Sequence, residues 1–374
     1  MIFSLFGWLL FFAWAWIVAL RGRFWQIEHP APSPESDLWP DRWPSVVAII
    51  PARDEAPTIA TAVVSLKAQT YPGQLDIIVV DDQSTDGTGD LARGVGATVI
   101  AGSARPPGWT GKLWALSQGV AEAERTHPDA GLILFTDADI RHAPGELRAM
   151  VARLTAERLD LASLMVRLNI ASPAERAIVP AFVYFFRLLY PFRWVREAHA
   201  RTAAGAGGYM LMRRAALAGI GGVESIKGAL IDDCALAAAI KKWGGRIRLD
   251  LASETVSLRP YDWDQLWRMI ARTAYTQLDH SPLLLLSTSV GLLLGFMGPP
   301  ALALFSHRGD IPALAAWVLM ALSYLPMVSF YRLSPLWAPL LPLVALFYLG
   351  ATVDSGRRHW QGRGGEWKGR VQAP

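Results

Sequence analysis

Residues 132–142 read LILFTDADIRH, an apolar run from Leu132 to Phe135 that stops at Thr136 and gives way to Asp137 and Asp139. Side chains alternate along an extended chain, so carboxylates at i and i+2 point the same way. Like charges that close need something positive between them. As oxygen ligands the pair suits Mg2+ or Mn2+, which complete their shells with phosphates; the plain alternative is a solvated turn. A second acidic group, DDQSTDGT at 81–88, also follows an apolar run. Ser84, Thr85 or Asp86 suits a helix N-cap. That leaves Asp81 and Asp82, and a carboxylate at a strand end can accept hydrogen bonds from a base or a ribose. A third pair, Asp232 and Asp233, opens a helical stretch that runs to Gly244-Gly245. One of them suits the helix dipole. Two adjacent carboxylates in a cleft also push one pKa up toward useful basicity, which makes the pair a candidate general base.

Cations punctuate the same region. PPGWTGKLWAL (106–116) puts Lys112 at the start of a helix, where it suits a diphosphate. YDWDQLWRMIARTAY (261–275) reads as an amphipathic helix with Arg268 and Arg272 four apart on one face, snorkelling at a membrane surface or reaching an anion. Several chemistries are excluded. The seven histidines show no HExxH or Cys/His spacing, and there is no GxSxG, no GxxxxGK[ST] and no dinucleotide glycine fingerprint.

Stepping along the chain, SVVAII (45–50), LDIIVV (75–80), ATVI (97–100) and 132–136 read as strands. Helical spacing follows at Ile59, Val63 and Leu66, near 86–94 and near 112–125. This alternation predicts an α/β fold, a mostly parallel sheet flanked by helices, with ligands beyond the carboxyl ends of the strands.

The remainder is too apolar for an ordinary soluble domain: 52% of the 374 residues are hydrophobic, 16 are Trp, and mean hydropathy is +0.25. Residues 2–20 carry no charge and precede Arg21 and Arg23, which predicts an uncleaved anchor over 1–22 with the following domain in the cytoplasm. A Pro-rich linker occupies 23–44 and a globular domain 45–280, within which the aromatic, Arg-punctuated stretch 178–196 reads as an interfacial segment. Uncharged runs at 283–305, 311–331 and 335–353 predict membrane helices over 281–353 and leave a basic tail, 354–374. Three full spans would put that tail outside, against the rule for basic residues. One run is therefore expected to be broken, either the first, with Gly291, Gly295, Gly298 and Pro299-Pro300, or the third, with Pro335, Pro339 and Pro342. The single cysteine, Cys234, excludes an intrachain disulfide. Localisation is expected at a bacterial-type inner membrane.

Taken in order, IIPARDE (49–55), VVDDQSTDGT (79–88), TDAD (136–139) and IDDCAL (231–236) resemble the successive motifs of family 2 inverting glycosyltransferases with the GT-A fold. The resemblance covers roughly 45–280. The aromatic stretch, the Lys of GWTGK, the late membrane segments and WKGR (367–370) are similar to the hopanoid-biosynthesis-associated branch, and more distantly to carotenoid and ceramide glucosyltransferases. The resemblance implies that Pro51, Ala52, Arg53 and Glu55 line a nucleotide pocket and that Asp82 faces the uracil or ribose. It implies Asp139, with Asp137, as ligands of Mg2+ or Mn2+, and Asp233, beside Asp232, as the base. Where many relatives have Glu-Asp this chain has Asp232-Asp233. Where some carry Q/RxxRW it has Gln265-Leu-Trp-Arg268-Met269, so either Arg268 or Arg272 is left to clamp the diphosphate.

The expectation is therefore a membrane enzyme that moves a sugar from a nucleotide sugar, UDP-linked by resemblance, to a lipid hydroxyl. No nucleic-acid partner is expected. A nucleotidyltransferase and a non-catalytic membrane scaffold remain alternatives of other classes.

Overall fold

The structure is a computed structural model that describes residues 2–28, 42–306 and 310–365. Most of the expected linker and the WKGR tail motif lie outside the described residues. By contact the chain falls into two units. One comprises Glu28–Asn169 and Trp194–Arg259; the other comprises Met1–Ile27, Ile170–Arg193 and Pro260–Ala373.

The first unit is built on an eight-stranded sheet, β1 (Val46–Ala52), β2 (Leu75–Asp81), β3 (Thr98–Ala101), β4 (Leu132–Phe135), β5 (Ile140–Arg141), β6 (Leu161–Arg167), β7 (Met210–Arg213) and β8 (Ile247–Ser257). The spatial order is β3-β2-β1-β4-β7-β6-β8-β5. The half from β3 to β4 is parallel, as the strand-helix alternation requires, with Ala52 opposite Asp81 and Ile49 opposite Phe135. The other half is mixed: β7 runs antiparallel to both β4 and β6, and β5 antiparallel to β8. Val46, Ala48 and Ile50 of β1 are fully buried against Ile59, Val63 and Leu66 of helix Ile59–Lys67. Each such Val, Ile or Leu side chain is worth roughly 1.5–3 kcal/mol on burial. Helix Gly111–Thr126 lies so close over β1 that a Cβ on Gly119 would stand 2.3 Å from an Ile49 methyl. That approach fixes the height of the helix start, where Lys112 sits.

Among the described residues the second unit holds three helical runs long and apolar enough to cross a membrane: Pro282–Phe305, Ile311–Phe330 and Pro335–Trp360. The first passes through a π-helical turn, Leu293–Met297, at the glycines and prolines where a break was expected; the third opens as a 3-10 turn, Pro335–Leu340. Both stay continuous. The last helix carries on to Trp360, so the expected tail begins inside it, with Arg358 bonded to Asp354. The expected anchor forms helix Ile2–Leu20, whose described apolar stretch, Leu5–Leu20, is shorter than the other three. Its Trp14 is buried and donates from Nε1 to the Gly295 carbonyl in the π turn, 2.8 Å away.

Residues 178–196 form the end of helix Pro173–Leu189 and the short helix Phe192–Arg196. The longer helix is capped by reciprocal bonds between Ser172 and Glu175. It buries Val179, Val183 and Tyr184, whose hydroxyl meets Ser323 at 2.7 Å. Arg187 is buried and donates to the Gln26 carbonyl. One face of this stretch is thus packed inside the unit, where the sequence suggests a membrane-surface element.

Candidate active site

The ends of β1 and β2 are laced together. The Asp54 amide donates to Ser84 Oγ (3.0 Å), the Thr85 amide to Asp54 Oδ1 (2.9 Å), the Glu55 amide to Thr88 Oγ1 (2.8 Å) and the Ala56 amide to Asp86 Oδ2 (3.0 Å). Asp54 and Gln83 both adopt left-handed backbone, φ 49° and 58°. Such conformations cost about 1–3 kcal/mol each and persist where neighbours over-determine them. The capping expectation is not met: the N-cap of helix Thr88–Gly94 is Gly87, with no side-chain cap, while Asp86 before it accepts the Thr88 amide at 3.1 Å and Ser84 and Thr85 serve the facing loop. Arg53 donates to the Asp82 carbonyl at 2.8 Å and approaches its carboxylate at 3.6 Å. Pro51 and Ala52 end β1 beside them.

The strand alternation assumed at Asp137 and Asp139 is absent. The strand ends at Phe135 and the chain turns at Ala138 and Asp139, so alternation stops and each carboxylate has its own cation. Lys112 Nζ lies 2.8 Å from Asp137 Oδ1 and 3.2 Å from Asp232 Oδ2. Burial works against its charge, but Asp137 and Asp232 outweigh that and hold the ammonium above the ordinary lysine range. Arg259 bridges the other pair, Nε to Asp139 Oδ2 at 2.9 Å and Nη2 to Glu55 Oε1 at 2.6 Å. Asp139 is 8% exposed; burial, with Asp137 adding to it, pushes its carboxyl up against the opposing pull of Arg259.

Asp232 and Asp233 start helix Asp232–Lys242, but neither caps it across a turn. Asp233 Oδ2 accepts the Gly207 amide at 2.9 Å, and Oδ1 its neighbour's amide, Cys234, at 2.8 Å. Burial pushes Asp233 up to about 6, helped by the charge of Asp232 and opposed by Lys112 and the two amides. A Cβ at Gly207 would lie 2.8 Å from Lys112 Nζ and 3.6 Å from Asp233 Oδ2, so a side chain there displaces the lysine head. A small pocket beside these groups is lined by Pro51, Lys112, Phe135, Thr136, Gly207 and Asp232.

The sheet unit thus brings together Lys112, Asp137, Asp232 and Asp233 in one cluster and Glu55, Asp139 and Arg259 in another. Arg268 and Arg272 belong to the second unit, on helix Trp263–Thr273, where Arg268 pairs with Asp264 and Arg272 is exposed. Sequence reasoning missed Arg259 and Gly207. The available signals were the GAGG run just before β7 and an Arg two residues past the end of β8. Among the described residues no three His, Cys, Asp or Glu side chains gather as a metal cage.

Comparison with known proteins adds three findings. A 4,4'-diaponeurosporenoate glycosyltransferase of Staphylococcus aureus (strain bovine RF122 / ET3-1) is 41% identical over 97 residues, 26% of this chain and 24% of the relative. The same enzyme of strain USA300 is 40% identical over the same shares. The chain thus matches about a quarter of the length of these curated relatives. Among solved structures, the mannosyltransferase PcManGT from Pyrobaculum calidifontis, in complex with GDP-Man and Mn2+, covers 94% of this chain and 98% of its own, at TM-score 0.56 and 18% identity. That likeness shows the fold, a GT-A-like mixed α/β sheet with flanking helices. Residues 47–221, a little under half of the chain, match the model for Glycosyl transferase family 2.

Proposed function

We propose that the protein is a membrane-bound inverting glycosyltransferase that moves a sugar from a nucleotide sugar to an acceptor group on a lipid. The observation that carries this reading is Lys112 held between Asp137 and Asp232, at 2.8 and 3.2 Å, with Asp233 alongside. It places carboxylates from two chain segments and one ammonium around a single spot at the strand ends, where ligands of such sheets bind.

Asp233 takes the proton from the acceptor hydroxyl as that oxygen attacks the anomeric carbon, and one displacement inverts the configuration. Its raised pKa suits a base that works near neutral pH. Lys112 faces the leaving diphosphate and offsets the charge that develops on it. The laced loops at 53–56 and 82–88, with Pro51, Ala52, Arg53, Glu55 and Asp82, form the nucleotide side of the site. Asp139 and Asp137 fit a hard divalent ion: their donor atoms are all oxygen, and two carboxylates suffice for Mg2+ or Mn2+ when phosphates complete the shell. Such an ion would supply charge neutralisation at the diphosphate. The solved neighbour's Mn2+ and nucleotide sugar support this assignment.

UDP is our preferred nucleotide and a polyisoprenoid-derived lipid, a hopanoid foremost, our preferred acceptor. The relative named for diaponeurosporenoate makes a carotenoid-type acceptor the runner-up. Three helices long and apolar enough to cross a membrane support a lipid acceptor. We assign the sheet unit to the cytoplasm and the protein to the bacterial inner membrane. The test is detergent-purified protein with Mn2+, radiolabelled UDP- and GDP-sugars and a lipid extract. Labelled glycolipid with release of nucleoside diphosphate is expected. Release of pyrophosphate, or no consumption of any nucleotide sugar, refutes the reading. Mass spectrometry of lipids from cells with and without the gene then identifies sugar and acceptor.

A further inference from the structure

We propose that Arg259 is an internal counter-ion for the metal position. It neutralises Asp139 in the donor-free protein and yields that carboxylate to an incoming divalent cation while keeping its hold on Glu55. The inference rests on the assignment of Asp139 as a metal ligand made above.

The two partners share the Nε–Nη2 edge of one guanidinium but take separate N–H groups, Asp139 on Nε and Glu55 on Nη2, so releasing one bond leaves the other donor in place. The backbones cannot drift apart. The Leu258 amide donates to the Asp139 carbonyl at 2.7 Å, and β5 pairs with β8 at Ile140 and Ser257. The side chain of Arg259 can move, because it is 35% exposed against 11% for Asp139 and 13% for Glu55. Glu55 is a fixed mooring: its amide is held by Thr88 Oγ1 at 2.8 Å. A buried carboxylate stripped of its counter-charge is costly, and arginine keeps its proton at any working pH. Arg259 therefore leaves Asp139 only by swinging, and only when another cation takes over. The arrangement makes Arg259 a competitor that lowers metal affinity until donor phosphates add their own ligands.

The test is Mn2+ titration of the full chain in detergent, without nucleotide, by calorimetry or by the spin signal of free Mn2+. Arg259→Gln is expected to tighten Mn2+ binding about tenfold, the usual scale for one charge-assisted hydrogen bond removed from competition. Arg259→Lys keeps the charge on a shorter side chain without the guanidinium's fixed pair of donors, and is expected to tighten it about threefold. Mn2+ binding by Arg259→Gln equal to or weaker than wild type overturns the proposal; if that variant does not fold, the same result with Arg259→Lys does so. Asp139→Asn separates the two readings. If it abolishes binding while both Arg259 variants match wild type, the metal assignment stands and the counter-ion falls. If it binds Mn2+ as wild type does, both fall.

Discussion

Replacing Lys112 by methionine removes the positive centre of the acidic cluster and should move the pH dependence of the reaction. In the wild type, Asp233 is pushed up to about 6, with Lys112 one of the groups that hold it down. The ammonium and the Asp233 carboxylate lie 2.8 and 3.6 Å on either side of the point where a Gly207 Cβ would stand. They are therefore no more than about 6 Å apart. At that distance, and with a dielectric between those of a protein interior and water, one opposite charge is worth about 1.4 kcal/mol, or one pH unit. The sign follows from the base role. Only ionised Asp233 accepts the proton, so kcat/KM falls as pH drops through its pKa. The acid limb is expected near pH 6 in the wild type and near pH 7 in Lys112→Met. The assay is kcat/KM for sugar transfer between pH 5 and 9 at constant ionic strength, which reports the free enzyme. The variant should also lose activity at its optimum, because the leaving diphosphate loses a counter-charge. An acid limb at the same pH in both proteins, with the variant folded and active, refutes the electrostatic link between Lys112 and Asp233.

Asp233→Asn should lower kcat by about 100- to 10,000-fold, the usual contribution of a positioned base, with donor KM changed only a few-fold; steady-state kinetics at saturating donor check this. Gly207→Ala places a methyl 2.8 Å from Lys112 Nζ and should cost most of the activity with little change in Tm, read by transfer assay and thermal unfolding side by side. Thr88→Val removes the acceptor of the Glu55 amide and should raise donor KM more than it lowers kcat, by about 1 kcal/mol or five-fold. Chelation with EDTA should abolish transfer, and Mn2+ or Mg2+ should restore it, whereas Ca2+ in place of either should restore less.

The acidic clusters were legible because each follows an apolar run of strand length or opens a helix, and both patterns are local. Lys112 was legible for the same reason, as the second residue of helix Gly111–Thr126. What was not legible depends on pairing between distant segments. Arg259 meets Asp139 across 120 residues because β8 pairs with β5, and a lone Arg beyond a strand carries no local mark of that. The i, i+2 argument at Asp137 and Asp139 failed because the strand stops two residues before the pair begins. Ser84 and Thr85 have good capping chemistry, but the loop at 54–56 competes for it. The grouping of 170–193 and 260–280 with the apolar helices is likewise set by packing.

The bond from Trp14 to Gly295 spans 281 residues, which makes it a matter of timing as well as packing. Its carbonyl lies in the π turn, so the indole finds its acceptor only after that turn has been made. A chain growing at 5–20 residues per second reaches that point roughly 14–56 s after Trp14 leaves the ribosome. Every strand of the sheet, β8 included, is synthesised within that interval. Helix Ile2–Leu20 is thus made before every strand of the sheet and is among the last to acquire its partners. A nascent chain stalled before residue 295 would carry a complete sheet and an indole donor still waiting for its place.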